Sequence, residues 1–155
     1  MNVSGTKEMK HKWSLYVKPL DPDLRKKQHL VIEKVKLYLH PTFRNPTRWI
    51  KPEAGQPIEL ANVLSWGWFD IDVTIFWTKK TGQQIPFSVI HTLVFDPRGS
   101  KRTYKIKFDK TKLNPLIFPP AQKQPSQAIK KWIEKCLYIY LLLESKVFST
   151  FLTSF

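Results

Sequence analysis

Hydrophobic and polar positions alternate in short runs through the first two-thirds of the chain. Trp13–Val17 is a brief strand-like run, and Val31–Leu39 alternates with one charged face. Asp70–Trp77 is the clearest case. Ile71, Val73, Ile75 and Trp77 fall on one side, and Asp70, Asp72, Thr74 and Phe76 on the other. The stretch Ile85–Phe95 reads as a further strand. Thr103–Phe108 alternates again, with Tyr104, Ile106 and Phe108 inward and Thr103, Lys105 and Lys107 outward. Pro19–Lys27 reads as a loop. Pro41, Pro46, Pro52 and Pro57 mark loop or edge structure, and Lys79–Gly82 a turn. Short strands separated by such breaks predict an all-β sandwich or barrel.

After Phe108 the pattern changes. Residues 109–125 carry Pro115, Pro119, Pro120 and Pro125 and read as a linker. Ser126 fits a helix N-cap. Ile129, Trp132, Ile133, Cys136, Leu137, Tyr140 and Leu141 recur at three- and four-residue steps, which predicts an amphipathic helix running to Leu143. That helix would pack back on the sandwich or serve as a docking helix. The tail Val147–Phe155 is apolar and uncharged.

Composition narrows the function classes. The 155 residues hold 26 Lys+Arg against 12 Asp+Glu, a formal charge of +14, which suggests a polyanion partner such as nucleic acid. A lone Cys136 excludes an intrachain disulfide and fits a reducing compartment. The five glycines are too widely spaced for a phosphate-binding loop. His11, His29, His40 and His91 show no metal-ligand spacing, and no nucleophile elbow exists, so no metal, cofactor or enzymatic activity is expected. Met1–His11 is polar, unlike a secretory leader. The longest clean apolar run, Cys136–Leu143, is too short to span a bilayer, so no membrane partner is expected.

Two segments stand apart from generic sandwich sequence. Leu39-His40-Pro41-Thr42-Phe43-Arg44-Asn45-Pro46-Thr47-Arg48 runs from a strand into a loop presenting an imidazole, a hydroxyl and a phenyl ring. Ser65-Trp66-Gly67-Trp68-Phe69 places three rings around a glycine just before the clearest strand. A glycine there permits positive φ or close backbone approach to a ligand. Equally, these rings could fill the end of a sandwich core.

In order and content these segments resemble the YEATS domain, an immunoglobulin-like β-sandwich of chromatin and transcription complexes. His11-Lys12-Trp13 is similar to the family's opening His-x-Trp. Val31–Val35 and Leu37–His40 resemble the strand and Leu-His before the first ligand loop, and His40-Pro41-Thr42-Phe43 with Asn45-Pro46-x-Arg48 resembles that loop. Trp66-Gly67-Trp68-Phe69 stands where the family has Trp-Gly-x-Phe. Pro86–Leu93 and Phe108 continue into the last strands, so the likeness covers about residues 11–110. Within the family, the first loop is most similar to that of a small fungal subunit shared by transcription and remodelling complexes.

The resemblance implies a nuclear, non-enzymatic reader of acylated lysine, acetyl or crotonyl, on histone tails. Thr42 would supply the hydroxyl that hydrogen-bonds the acyl-amide, and His40 would orient its loop. Phe43 and Trp66 would wall the slot, and backbone N–H groups around Trp66-Gly67 would receive the acyl carbonyl. Phe69 would support the slot from behind. Trp68 stands where the family often has Glu, Gly or Ala, and would narrow the slot or pack outward. The chemistry is consistent: acylation removes the charge and leaves a planar amide. Rings, a hydroxyl and backbone amides suit that group, and these loops carry no carboxylate.

The expected organisation is therefore a YEATS-like sandwich over 11–110, a Pro-rich linker over 111–125, and a helix with apolar tail over 126–155. Other subunits of a nuclear complex are expected partners. Arg98–Lys112 holds seven basic residues and one acid. It reads as a solvated strand face or as a contact to nucleosomal DNA through Arg98, Lys101, Arg102, Lys105 and Lys107. The alternative function is a basic DNA-binding or scaffold subunit with a degenerate acyl pocket.

Overall fold

The computed structural model describes residues 11–65, 67–95, 98–115 and 136–149. They form β1 (His11–Pro19), α1 (Pro22–Lys26), α2 (Gln28–Val31), β2 (Ile32–Tyr38), β3 (Thr47–Ile50), β4 (Ile58–Ser65), β5 (Asp70–Trp77), β6 (Phe87–Thr92), β7 (Ser100–Asp109) and β8 (Cys136–Ser149). The strands make two four-stranded antiparallel sheets, β4-β1-β8-β7 and β3-β2-β5-β6. They pack face to face as an immunoglobulin-like sandwich. Alternation makes the core: Trp13, Leu15 and Val17 of β1 and Ile106 and Phe108 of β7 face Val35, Leu37, Ile71, Val73 and Ile75 of the other sheet. Each such side chain contributes about 1.5–3 kcal/mol by leaving water.

The strands expected at residues 13–17, 31–39, 70–77, 85–95 and 103–108 are all present, with small changes at their ends. The loop expected over Pro19–Lys27 contains a helical turn instead. Asp21 caps it by accepting from the Asp23 N–H at 2.9 Å, and Pro22 occupies the first position, where its missing N–H costs nothing.

β4 is hidden in the sequence by a bulge. Trp13 pairs with Val63 but Leu15 pairs with Leu60, so Ala61 and Asn62 together oppose Ser14. Asn62 takes φ 57° and donates its N–H to Ser14 Oγ at 3.0 Å. The bulge reverses inside and outside halfway along β4, which erases its period of two.

The C-terminal helix is the main correction. Residues 126–135, including the proposed N-cap and Trp132, lie outside the described residues. From Cys136 onward, however, the chain is a strand seated between β1 and β7. Ile139, Leu141, Leu143 and Ser145 are buried while Tyr140 and Lys146 are exposed, a period of two. Cys136–Leu143 is apolar throughout, so it satisfied the helical spacing and the strand spacing alike. Burial in a central strand, with pairing on both edges, decided it. The sandwich therefore extends beyond 110 to β8.

The turn into β7 needs a glycine. Gly99 has φ +73°, and a Cβ there would collide with the Ser145 carbonyl oxygen.

Candidate functional site

Both singled-out segments lie at one end of the sandwich. The first leaves β2 and is closed at its base by the Leu39 N–H donating to the Pro46 carbonyl at 2.7 Å. Inside it the Phe43 N–H donates to the His40 carbonyl at 3.0 Å, a tight turn that brings residues 40 to 43 together. The Thr42 N–H donates to His40 Nδ1 at 3.3 Å, and Thr42 Oγ1 lies 2.8 Å from the same nitrogen. A backbone N–H can only donate, so Nδ1 is the acceptor and carries no proton. The Thr42 hydroxyl therefore also donates to Nδ1, which leaves its oxygen lone pairs directed elsewhere. Thr42 is exposed, His40 and Phe43 half-buried.

Phe69 joins the loops. Its ring lies 5.3 Å from Phe43 and 6.2 Å from His40, and packs edge-on against Trp13 at 5.8 Å. Such contacts are each worth about 0.5–1.5 kcal/mol beyond burial. The Leu93 N–H holds the Phe69 carbonyl at 3.0 Å, fixing the entry to β5.

A buried relay positions the second segment. Trp13 Nε1–H donates to Ser65 Oγ at 3.1 Å, and that hydroxyl donates to the Gly67 carbonyl at 3.1 Å. Trp13 and Ser65 are both buried. A trans peptide holds C=O and N–H on opposite sides, so anchoring the Gly67 carbonyl turns the Trp68 N–H away from Ser65. Beyond its chain neighbours, nothing lies within 4 Å of a Cβ built on Gly67, so this backbone can be approached closely. His11 stacks on Phe95 at 4.0 Å beside the same end.

Of the residues expected to form the site, His40, Thr42, Phe43 and Phe69 converge. Gly67 is held beside them through Ser65. Trp68 is turned outward, 71% exposed, and Trp66 lies outside the described residues. Ser65 and the supporting role of Trp13 went unread in the sequence. Only Trp13's place in the His-x-Trp motif hinted at it, because the bulge in β4 conceals which way Ser65 faces. Among the described residues no group of three or more His, Cys, Asp or Glu side chains could hold a metal ion.

The basic residues of the other candidate surface divide. Lys101, Lys105 and Lys107 alternate outward along β7. Arg102 has the opposite parity and acts electrostatically on His91, and Arg98 precedes the Gly99 turn.

Comparison with known proteins matches the YEATS family over residues 8–97, more than half of the chain. The chain belongs to the YEATS family. Transcription initiation factor TFIID subunit 14 of Schizosaccharomyces pombe is 30% identical over 79 residues, 51% of this chain and 31% of that protein. Protein AF-9 homolog of the same organism is 32% identical over 91 residues, 59% of this chain and 38% of that protein. The chain thus spans about a third of the length of these relatives. Among solved structures, the yeast AF-9 homolog protein Yaf9 is 22% identical with a TM-score of 0.46, covering 76% of this chain and 95% of that one. The Yaf9 YEATS domain bound to H3K27ac is 17% identical with a TM-score of 0.39, covering 89% and 84%.

Proposed function

We propose that this YEATS chain is a non-enzymatic reader of acylated lysine on histone tails, acting in the nucleus as a subunit of a transcription or chromatin-modifying complex. The observation that carries the reading is the Thr42 hydroxyl. It donates to His40 Nδ1, which frees its oxygen to accept from the N–H of an acyl-lysine amide, beside the rings of Phe43 and Phe69. In this reading Phe43 and Trp66 are the two walls of the slot. The relay from Trp13 through Ser65 holds the Gly67 carbonyl, and in this reading the backbone N–H groups of the Trp66-Gly67 segment are the donors for the acyl carbonyl. The relative named as a TFIID subunit supports the transcription setting.

Each amide hydrogen bond adds only about 1 kcal/mol net. Discrimination comes from what an unmodified lysine would have to do, which is to bury an ammonium in a narrow aromatic slot without a carboxylate. A ring face does attract cations, so the slot's width and Thr42 share the selectivity.

The test is a titration of acetylated, crotonylated and unmodified histone-tail peptides. Binding should require the acyl group and be largely lost in Trp66→Ala. Equal affinity for the unmodified peptide, or an unaffected Trp66→Ala variant, would overturn the reading.

A further inference from the structure

The outer face of the first sheet carries a concentration of lysines that neither the core nor the loop end uses. Strand register places them. Lys105 sits opposite Tyr140, and Lys101 and Tyr16 flank Glu144 from either side. Lys18 is opposite Leu142 and Lys146 opposite Ser14. Residues directly opposite share a face, so Lys18, Lys101, Lys105, Lys107 and Lys146 all project from the same side of β1, β8 and β7. Lysines on an open edge strand discourage unwanted pairing, which accounts for those of β7. It does not account for Lys18 and Lys146, which stand on the inner strands β1 and β8.

Three carboxylates share this face. Glu144 lies at its middle, 3.1 Å from Lys18 and 3.9 Å from Lys101. Burial pushes its carboxyl up, but the bond from Lys18 and the charges of Lys18, Lys146 and Lys101 outweigh burial and hold it below the usual carboxylate range. Glu59 lies at the far margin on β4, and Asp109 at the end of β7 beside Lys107 and Lys112.

Charge is the dominant chemistry of this face. The Tyr16 ring is already covered by the ammonium groups of Lys18 at 4.8 Å and Lys146 at 5.2 Å. Tyr140, 45% exposed, stands on the same face. Five lysines set among three carboxylates leave this face with a net positive charge, which matches phosphates. From Lys101 to Lys107 β7 runs about 20 Å, the axial length of roughly six phosphates along one strand of a duplex.

We propose that the outer face of β1, β8 and β7 binds the phosphate backbone of duplex DNA without reading its sequence. This goes beyond the acyl-lysine reading and does not depend on it.

The test is fluorescence anisotropy of a labelled 30-base-pair duplex with the whole chain, across salt. Four contacted phosphates predict a loss of roughly 100-fold in affinity between 50 and 200 mM salt. The triple variant Lys105→Glu, Lys107→Glu, Lys146→Glu should weaken binding at least about 30-fold and reduce the salt slope by about two to three. A control triple, Lys26→Glu, Lys51→Glu, Lys80→Glu, makes the same change in net charge on exposed positions elsewhere and should cost less than about 3-fold. Thermal melting reports whether each variant folds. Should the face triple fail to fold, Gln at the same positions gives the same comparison with a smaller loss. Equal losses in the two triples would overturn the proposal, since net charge alone would then explain binding. So would a single strand, or polyglutamate, that bound as tightly as the duplex with the same sensitivity to the face triple.

Discussion

The loop end and the lysine face are built by opposite means. At the loop end, position is everything. Trp13, Ser65, Gly67, Phe69, Phe43, His40 and Thr42 form one connected chain of ring contacts and hydrogen bonds reaching from the buried core to an exposed hydroxyl. The lysine face has almost no such chain; its side chains project from strands whose inner sides do the packing. A site assembled through the core should be sensitive to packing and indifferent to ionic strength. A face made of projecting charges should show the reverse.

The sharpest way to break that contrast is Trp13→Ala. Trp13 is fully buried, and deleting its indole removes core volume, the ring contact to Phe69 and the donor to Ser65. A loss of about 3–5 kcal/mol is expected in denaturant unfolding. Lys105→Ala should stay within about 0.5 kcal/mol of the parent. Comparable losses in the two variants would mean that the face is as deeply tied to the core as the loop end.

This division also explains what could be read from the sequence. Asp70–Trp77 was legible to the residue because one of its sides is buried along its whole length. The His40–Phe43 turn was legible because its contacts are local, within three residues. β4 was illegible because the bulge at Asn62 reverses its parity, and β8 because an unbroken apolar run contains every period at once. The pairings of Ser65 and His91 were illegible for a different reason. Their partners, Trp13 and Ser145, lie 52 and 54 residues away, so only the register of the sheets brings them together.

His91 links the two regions and gives the next test. Its Nε2 lies 3.1 Å from Ser145 Oγ, a bond running from β6 of the loop-bearing sheet to β8 beneath the lysine face. Burial, reinforced by the charge of Arg102, holds the imidazole below its ordinary range, so the folded chain keeps it neutral. Below about pH 6.5 the unfolded chain binds a proton that the folded chain resists. Stability is therefore fully present above that pH and is lost as pH falls, at up to about 1.4 kcal/mol per pH unit from this group. Thermal melting between pH 7.5 and 5 should show the decline, and His91→Gln should flatten it. An unchanged slope in that variant would mean that other groups carry the pH dependence.

A smaller effect is expected at Thr42. Thr42→Ala removes the acceptor proposed for the acyl amide and should weaken acyl-peptide binding about 5- to 10-fold, near 1 kcal/mol. Thr42→Ser keeps the hydroxyl and should stay within about 3-fold. If the serine variant binds as weakly as the alanine one, the Thr42 methyl rather than the hydroxyl supports the slot.

The smallest effect has the most informative sign. A histone tail is basic and this chain carries +14, so charge opposes their encounter. The proposed slot gains nothing from charge, because acylation has neutralised the lysine it holds. Raising salt from 50 to 200 mM shortens the Debye length from about 14 to about 7 Å and screens only the repulsion. Acyl-peptide affinity should therefore hold steady or rise by up to about 2-fold over the range in which duplex DNA is lost. Isothermal titration of one acetylated peptide at both salt concentrations measures this. A peptide affinity that fell with salt in parallel with DNA would place the tail on a charged surface, and the separation between loop end and lysine face would fail.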